Sequence, residues 1–375
     1  MSRSNTGEAS NVTDEVGAVA VPSELAPVRE HEQLDWSTLE AYLRANIDDL
    51  EGEFKVLQFP NGSANLTYLV SFGDRPLVLR RPPFGQLAPG SHDMAREYKA
   101  LSNLWRSFDK APRAYLLCRD HDVVGSDFFV MEYREGVVLW GAIPESMRHH
   151  EEVGRRVGFA VIDALGELHR VDPNECGLGD LGRPDGYVAR QVSGWRQRWH
   201  AVATDENDEL MTTLGARLEQ TQPRSSRSSI LHNDYKIDNC QFDPTDPDHV
   251  KSIFDWDMST LGDPLMDLGT VLNYWPDPSD EGDNKPIYPV GTDRMGLPTR
   301  AEVVERYALR TGNDVDGAPW YEGFACFKTA VILQQLYVRF LRGETSDERM
   351  GERGARVAPA ARRAHMILDG TNGLS

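Results

Sequence analysis

Residues 231–239 read LHNDYKIDN, and residues 255–257 read DWD. The segment between these two stretches has apolar residues at both of its ends and the turn-forming sequence DPTDPD at 243–248. This pattern predicts a β-hairpin that follows one loop and leads into a second loop. Such a hairpin would bring the two stretches close together in space.

Three oxygen-bearing side chains, those of Asp234, Asn239 and Asp255, would then lie near one another. Asp234 is free to orient a hydroxyl group, whereas an amide oxygen and a second carboxylate are hard ligands that suit Mg²⁺. Phosphoryl transfer needs this combination, and His232 precedes Asp234 at the spacing found in kinase catalytic loops. Lys236 could reach the γ-phosphate as a point charge. An Asp- and Asn-rich turn would explain any one of these residues, but not the joint pattern.

The pattern resembles the aminoglycoside phosphotransferase and choline kinase superfamily, which has the protein-kinase-like fold. More specifically, it resembles the phosphotransferase branch related to the kinase-like domain of some acyl-CoA dehydrogenases. The likeness covers about residues 35–345. It rests on LHNDYKIDN at 231–239, FDWDMSTLGDPLMDLG at 254–269, GLGDLGRPDGY at 177–187, FPNGSANLTYLV at 59–70 and VLRRPP at 78–83.

The resemblance implies an α+β, protein-kinase-like fold of two lobes. A small nucleotide-binding lobe with an antiparallel sheet is expected over residues 31–135. A larger, mainly helical lobe over residues 136–345 would carry the catalytic loop, with ATP and Mg²⁺ in the cleft between the lobes. Residues 1–30 have few large apolar groups and are expected to be disordered. Residues 346–375 are expected to be loosely held.

The first two predicted strands cover residues 54–59 and 66–72, which change from helical to strand periodicity. The turn between them contains Ser63 and Asn65 and, in the kinase interpretation, covers the phosphates with backbone N–H groups and small side chains. It has one glycine instead of a G-x-G-x-x-G sequence, and an ordinary Asn-Gly hairpin explains it equally well. On the next strand, the resemblance places Arg80 where many kinases have lysine.

Glu97 lies near the start of a helix predicted over residues 94–105. The resemblance implies that Glu97 pairs with Arg80, as a helix glutamate pairs with a strand lysine in kinases. A solvated helical glutamate is the alternative. Glu132 and Tyr133 resemble the hinge between kinase lobes, where backbone groups would recognise the adenine.

Four further features follow from local patterns. Ser37 and the glutamate three residues later predict a capping box for the first helix. Asp267 is expected to brace the catalytic loop. Asp257 is either a second metal ligand or a residue that contacts the metal ligands without binding the metal itself. The proline-rich segment 274–298 is interpreted as a lid on the substrate side.

Charge and cysteine usage limit the possible partners. The formal net charge of −19 argues against non-specific binding to nucleic acid. The four cysteines, Cys118, Cys176, Cys240 and Cys326, form no C-x-x-C pair, which argues against a zinc site and fits a reducing cytoplasm. No run of about eighteen apolar residues predicts a membrane span. A cytoplasmic protein is therefore expected, and its oligomeric state is left open.

The sequence thus predicts ATP- and Mg²⁺-dependent transfer of the γ-phosphoryl group to a hydroxyl of a small molecule. The resemblance implies a hydroxyacyl-type or other metabolic hydroxyl compound as the acceptor. Asp234 would orient or deprotonate that hydroxyl. Lys236 and Arg80 would balance phosphate charge, and His232 would support the loop. One alternative is an aminoglycoside O-phosphotransferase, which would need an acidic acceptor pocket. The other is a nucleotide-binding pseudokinase or regulatory protein, which the single-glycine turn favours and the intact catalytic loop disfavours.

Overall fold

The computed structural model describes residues 25–59, 65–85, 93–225, 227–280, 282, 285–345 and 347–370. An N-terminal antiparallel sheet of five strands has the spatial order β1-β2-β3-β5-β4. These strands are β1 (Phe54–Gln58), β2 (Leu66–Phe72), β3 (Arg75–Arg81), β4 (Ala114–Cys118) and β5 (Phe128–Glu132). The helices that accompany them are α1 (Trp36–Asn46), α2 (Met94–Leu104) and the short α3 (His121–Val124).

Alternation along β3 decides which of its side chains face the helical part of the chain. Successive residues of a strand point to opposite faces of the sheet. Leu77 and Leu79 are buried with side chains of α1, whereas Val78 is buried with side chains of α2 and of the later helices. Arg80 therefore shares the face of Val78, and Arg81 shares the opposite face.

The first helix is capped by a different residue from the one predicted. The carboxylate of Asp35 accepts the N–H of Thr38 at 3.1 Å, and the hydroxyl of Ser37 donates to the same carboxylate at 2.8 Å. These contacts, led by the Thr38 N–H, lower the pKa of Asp35 to about 2. The predicted capping box at Ser37 is wrong, because Asp35 is the N-cap residue and accepts the N–H of Thr38. The ionised carboxylate of Asp35 also interacts favourably with the helix dipole.

The N-terminal tail predicted over residues 1–30 is only partly within the described residues. Residues 1–24 lie outside them. Ala26 pairs with Gln58 at the edge of the sheet through two backbone hydrogen bonds of 2.9 and 2.7 Å. The prediction of disorder is therefore wrong for residues 25–30, because backbone pairing needs no large apolar side chain.

The chain after the sheet is largely helical and frames the predicted catalytic loop with short strands. Its helices are α4 (Val153–Arg170), α5 (Tyr187–Val202), α6 (Asp208–Gln220), α7 (Leu265–Tyr274), α8 (Arg300–Thr311), α9 (Ala318–Leu341), α10 (Glu348–Gly351) and α11 (Val357–Leu368). Its strands are β6 (Val137–Val138), β7 (Ser229–Leu231), β8 (Cys240–Asp243), β9 (Asp246–Ile253) and β10 (Thr260–Gly262). No helix in the described ranges has the length and apolar character needed to cross a bilayer.

Two strand pairings hold the two sequence stretches together. β8 and β9 are antiparallel neighbours, which confirms the predicted hairpin. β7 pairs with β10, so the strand that leads into residues 231–239 lies beside the strand that follows residues 255–257. β6, directly after the predicted lobe boundary at residue 135, pairs with β8. The lobe limits themselves stay a prediction.

The C-terminal segment packs more firmly than predicted. Helix α11 buries one face against the rest of the helical region, and Arg363 on this helix is 2% exposed and forms an ion pair with Glu322 of α9. The other buried residues of α11 are Val357, Ala360, Ala361, Ala364 and Ile367. The expectation of a loosely held segment from residue 346 is wrong for residues 347–370, because small side chains let the helix approach α9 closely.

Candidate active site

The backbone of the predicted catalytic loop is held by hydrogen bonds to the buried carboxylate of Asp267, on the first turn of α7. This carboxylate accepts the N–H groups of His232 and Asn233, each at 2.7 Å, and lies 3.3 Å from the ring of His169. Burial acts to raise the pKa of Asp267, but the contacts with His169 and His232 outweigh it and lower the pKa. The predicted bracing by Asp267 is confirmed.

His232 links the two loops of the site. Its Nδ1 accepts the N–H of Asp234 at 3.3 Å, so the ring carries its proton on Nε2, which donates to the carbonyl oxygen of Phe254 at 2.7 Å. The ring is fully buried and packs against the indole of Trp256, with 4.8 Å between centroids. Both nitrogens are therefore engaged in holding the loops, which supports the structural role predicted for His232.

The side chain of Asp234 contacts two other residues of the predicted catalytic loop. The side-chain amide of Asn239 donates to the main-chain oxygen of Asp234 at 2.8 Å and to its Oδ2 at 3.2 Å. The ammonium of Lys236 is also 3.2 Å from Oδ2. Burial acts to lower the pKa of Lys236, but the carboxylates of Asp234 and Asp238 outweigh it and raise the pKa. The side chain of Asp234 remains 25% exposed, which leaves it accessible to a substrate.

A buried ion-pair chain joins the sheet to the second loop. Arg80 contacts Oε1 of Glu97 at 2.5 Å through Nη1 and Oδ1 of Asp255 at 2.8 Å through Nη2. The predicted pair between Arg80 and Glu97 is present, and Asp255 extends it. Arg81 instead donates to the carbonyl oxygen of Val124 on the other face of the sheet. The loop of Asp255 is shaped by its left-handed backbone, with φ of 66°.

The acidic groups around Asp255 suit a divalent cation. Burial, followed by the charge of Asp255, raises the pKa of Asp257 to about 6, and Asp234 adds to this effect. A cation would relieve this repulsion. In the described part of the chain, no three His, Cys, Asp or Glu side chains are grouped to hold a metal ion on their own. Mg²⁺ often binds through one or two protein ligands together with substrate phosphates and water. Asn239 and Asp255 fit that mode.

The residues predicted to contact the nucleotide are less completely described. Ser63 lies outside the described residues, as does most of its turn. Asn65 is buried directly before β2. The N–H of Glu132 donates to the carbonyl oxygen of Arg113 at 2.8 Å, so this N–H is occupied within the lobe. Tyr133 is partly buried against the main core. The roles of these four residues toward a nucleotide stay predictions.

Two clefts flank the catalytic loop. The first, of about 250 Å³, includes Lys236, Asp238 and Tyr274, together with residues 287–289 of the segment interpreted as a lid. That segment is anchored at Asp280 by an ion pair of 2.6 Å to α8. Its closing over a substrate stays a prediction.

The second cleft, of about 320 Å³, contains residues that the sequence did not single out as a site. Lys328 of α9 lines it and donates to the main-chain oxygen of Asn233 at 3.0 Å. Arg198 and Trp195 of α5 line it as well. The sequence signal for Lys328 is that it is an isolated lysine in the apolar run of α9. Such a local pattern does not show which part of the molecule the lysine faces.

Comparisons with known proteins agree with this geometry. The model of the APH family, described as the phosphotransferase enzyme family, matches residues 55–295. Mouse acyl-CoA dehydrogenase family member 10 is 31% identical over 325 residues, which cover 85% of this chain and 30% of that protein. Mouse family member 11 is 31% identical over 340 residues, covering 88% and 42% respectively. The chain thus spans less than half of these relatives.

Solved structures share the fold. A Ralstonia eutropha protein, provisionally named an aminoglycoside phosphotransferase, superposes with a TM-score of 0.76 at 29% identity, covering 91% of this chain and 100% of that one. A thermostable mutant of APH(4)-Ia, in a ternary complex with AMP-PNP and hygromycin B, has a TM-score of 0.58 at 15% identity, covering 90% and 99%. The protein-kinase-like fold and the predicted resemblance are confirmed, and the chain belongs to the APH phosphotransferase enzyme family.

Proposed function

We propose that this protein transfers the γ-phosphoryl group of ATP to a hydroxyl group of a small molecule. The observation that carries the proposal is the arrangement of Asp234. Asn239 holds it at both its main chain and its carboxylate, and its side chain remains accessible. A carboxylate fixed in this way can orient a hydroxyl for in-line attack. Membership of the phosphotransferase family supports the same reaction class.

The acceptor oxygen forms a bond to the γ-phosphorus while the bond between that phosphorus and the bridging oxygen of the β-phosphate breaks, which releases ADP. Asp234 receives the hydroxyl proton in or after the transition state. Lys236, 3.2 Å from the same carboxylate, lies where it can balance phosphate charge. Bound Mg²⁺, held by Asn239 and Asp255, would neutralise charge on the β- and γ-phosphates.

Arg80 has a positioning role in this proposal. Its guanidinium holds Glu97 of α2 and Asp255 together in a buried site. Asp255 belongs to the loop of residues 255–257, which is called the metal loop from here on. The lobe that would bind the nucleotide and the loop that would bind the metal are thereby kept in register. Any direct contact of Arg80 with phosphate is a further part of the proposal.

The acceptor is proposed to be a hydroxyacyl-type or other metabolic hydroxyl compound. Similarity to acyl-CoA dehydrogenase family members 10 and 11 supports this class. Likeness to the hygromycin and kanamycin complexes, at 15% and 14% identity, supports the fold alone. The intact catalytic loop argues against a pseudokinase.

The test is ADP release from Mg-ATP across a panel of hydroxyl compounds, with Asp234→Asn as the paired variant. Asparagine keeps the shape of the side chain but loses its basicity and charge. On the best acceptor, kcat should fall by about 10²–10⁴-fold. ATP affinity, measured by calorimetry, should change by less than about tenfold, because Asp234 acts on the acceptor.

Two outcomes would contradict the proposal. Turnover of Asp234→Asn near that of the wild type would remove the assigned role of Asp234. Wild-type protein that binds ATP but turns over no compound of a broad panel would favour the pseudokinase alternative.

A further inference from the structure

The second cleft beside the catalytic loop is lined by more cations than acids. Its volume is about 320 Å³, and it borders the loop through Asn233 and the metal loop through Asp257. The charged side chains in its lining are Arg96, Arg198, Lys328 and Asp257. The cleft therefore carries positive charge in a chain whose formal net charge is −19.

Two of these cations form no ion pair with any carboxylate in the described part of the chain. Arg198 stacks on the ring of Trp195, 4.6 Å from its centroid, and Lys328 lies 5.7 Å from the same ring. Lys328 donates to the main-chain oxygen of Asn233. Within the described residues, neither cation has a carboxylate oxygen within 4 Å. Because the chain has 59 acidic and 40 basic residues, unpaired cations at a cleft indicate a site for an external anion.

Arg96 also lines this cleft, but its guanidinium is engaged with main-chain oxygens of the protein. Its guanidinium donates to the carbonyl oxygens of Leu181 and Ser259, at 3.4 and 3.2 Å, and lies 3.8 Å from Asp93. It therefore ties α2 to the loop that follows the metal residues. Arg198 and Lys328 are the cations left to bind a ligand.

We propose that this cleft binds the phosphate acceptor through an anionic group, a carboxylate or a phosphate, that Arg198 and Lys328 receive. The proposal rests on the kinase function given above and names the substrate class for that site. Arginine can hold such a group with two parallel hydrogen bonds, and lysine adds a point charge. The indole of Trp195, on which Arg198 stacks, lines the same cleft.

The position of Lys328 connects this subsite to the chemistry. Its ammonium is bound to the main-chain oxygen of Asn233, the residue that precedes Asp234. An anionic group held there keeps its own hydroxyl-bearing chain beside the catalytic carboxylate. Burial acts to lower the pKa of Lys328, and Asp234 acts against it without reversing the shift. A bound anion would stabilise the charged form further. A polycationic acceptor such as an aminoglycoside would be repelled by the same wall.

The first experiment compares matched acceptors and two arginines of α5. Wild-type protein is assayed for ADP release with hydroxycarboxylates against the corresponding hydroxyamides, and with diol monophosphates against the free diols. The anionic member of at least one pair should be preferred, and the preferred pair identifies carboxylate or phosphate. Arg198→Gln should raise KM for that acceptor by about tenfold with kcat nearly unchanged, as expected for a lost charge-assisted hydrogen bond. Because Arg198 is exposed, the variant should fold.

Arg196→Gln is the control, since Arg196 lies on the same helix but forms an ion pair with Glu219. It should behave as the wild type does. A preference of the wild type for the neutral member of every pair, or an unchanged KM in Arg198→Gln, would overturn the proposal while leaving the kinase function intact.

The second experiment needs no acceptor. Inorganic phosphate is titrated against the protein saturated with Mg-ADP, and binding is followed as a rise in melting temperature. The rise should occur in the wild type and in Arg196→Gln and be absent from Arg198→Gln and Lys328→Met. Equal rises in all four proteins, or none in the wild type, would overturn the anion site. A rise that depends on Arg198 without turnover of any acceptor would instead contradict the kinase function.

Discussion

The carboxylate of Asp267 is the buried support of the catalytic loop, and Asp267→Asn tests that support directly. Its two oxygens accept the N–H groups of His232 and Asn233, each at 2.7 Å. An amide has a single oxygen, so one of these N–H groups would face an NH₂ donor. A hydrogen bond to a charged group contributes about 1.5–3 kcal/mol, and the remaining bond loses its charge as well. We therefore expect the free energy of unfolding to fall by about 2–4 kcal/mol.

The loss should be concentrated in residues 231–239. Hydrogen exchange at the amides of His232 and Asn233 should become about tenfold faster or more, because local opening no longer breaks a charge-assisted bond. With a working acceptor, kcat should also fall by about 10²-fold, since a small displacement of the loop misplaces Asp234.

A matched control separates loss of the loop support from general destabilisation. Asp263 is a buried aspartate two residues before the start of α7, but its carboxylate accepts the N–H of Leu265 at 2.9 Å and the hydroxyl of Tyr321 at 2.7 Å. Asp263→Asn should lower stability without faster exchange in residues 231–239. Wild-type exchange rates at those amides in Asp267→Asn would refute the bracing role.

Three other predictions address the ion pairs and the metal. Arg80→Lys should keep part of the ATP affinity measured by calorimetry and Arg80→Ala should lose much more, because lysine keeps the charge but not the fork; Arg81→Ala, on the other face, should bind as the wild type does. ATP should raise the melting temperature of the wild type more with Mg²⁺ than with EDTA, and Asp255→Asn should abolish this difference. If ATP gives the same shift with Mg²⁺ as with EDTA in the wild type, and Asp255→Asn behaves in the same way, the result would argue against the metal site. A hydrogen bond from Arg155, then one from a backbone N–H, lowers the pKa of Glu302 from 4.5 to about 2. Its contribution to stability is therefore present above about pH 4.5 and lost as the pH falls toward 2. Glu302→Gln should be less stable than the wild type at pH 7 and should approach it at pH 2 in denaturant titrations; a constant difference would contradict the linkage.

The elements and the residue proximities that the sequence predicted correctly depend on short-range rules. His232, Asp234 and Asn239 lie within one nine-residue stretch, so their mutual geometry needs a single loop. Turn-forming residues between two apolar runs were enough to place Asp255 beside them. The resemblance selected Arg80, and the period of two along β3 explains why Arg80 lies on the face of the sheet that meets α2 and the later helices.

The parts that the sequence did not predict depend on which helices pack together. Lys328 and Arg198 lie on different helices, far from the catalytic loop in the chain, and no local pattern shows that both face it. The same limitation explains helix α11. Residues 346–375 were expected to be loosely held, yet Arg363 is buried because Glu322 of α9 lies opposite it. A buried charge and its partner can be recognised only when the packing is known.

The contacts of Arg80 also depend on which parts of the molecule pack together. One guanidinium contacts Glu97 through Nη1 and Asp255 through Nη2, and the N–H of Trp256 lies 3.4 Å from the same Glu97 oxygen. The planar fork therefore spans two carboxylates that belong to different parts of the molecule. An ammonium is a single compact charge and cannot hold two groups at the ends of a rigid plane. If Asp255 binds Mg²⁺ as proposed, Arg80 can keep its contact with Glu97 through Nη1. Arginine at position 80 thus joins α2 to the loop of Asp255, and this link is what Arg80→Lys should weaken.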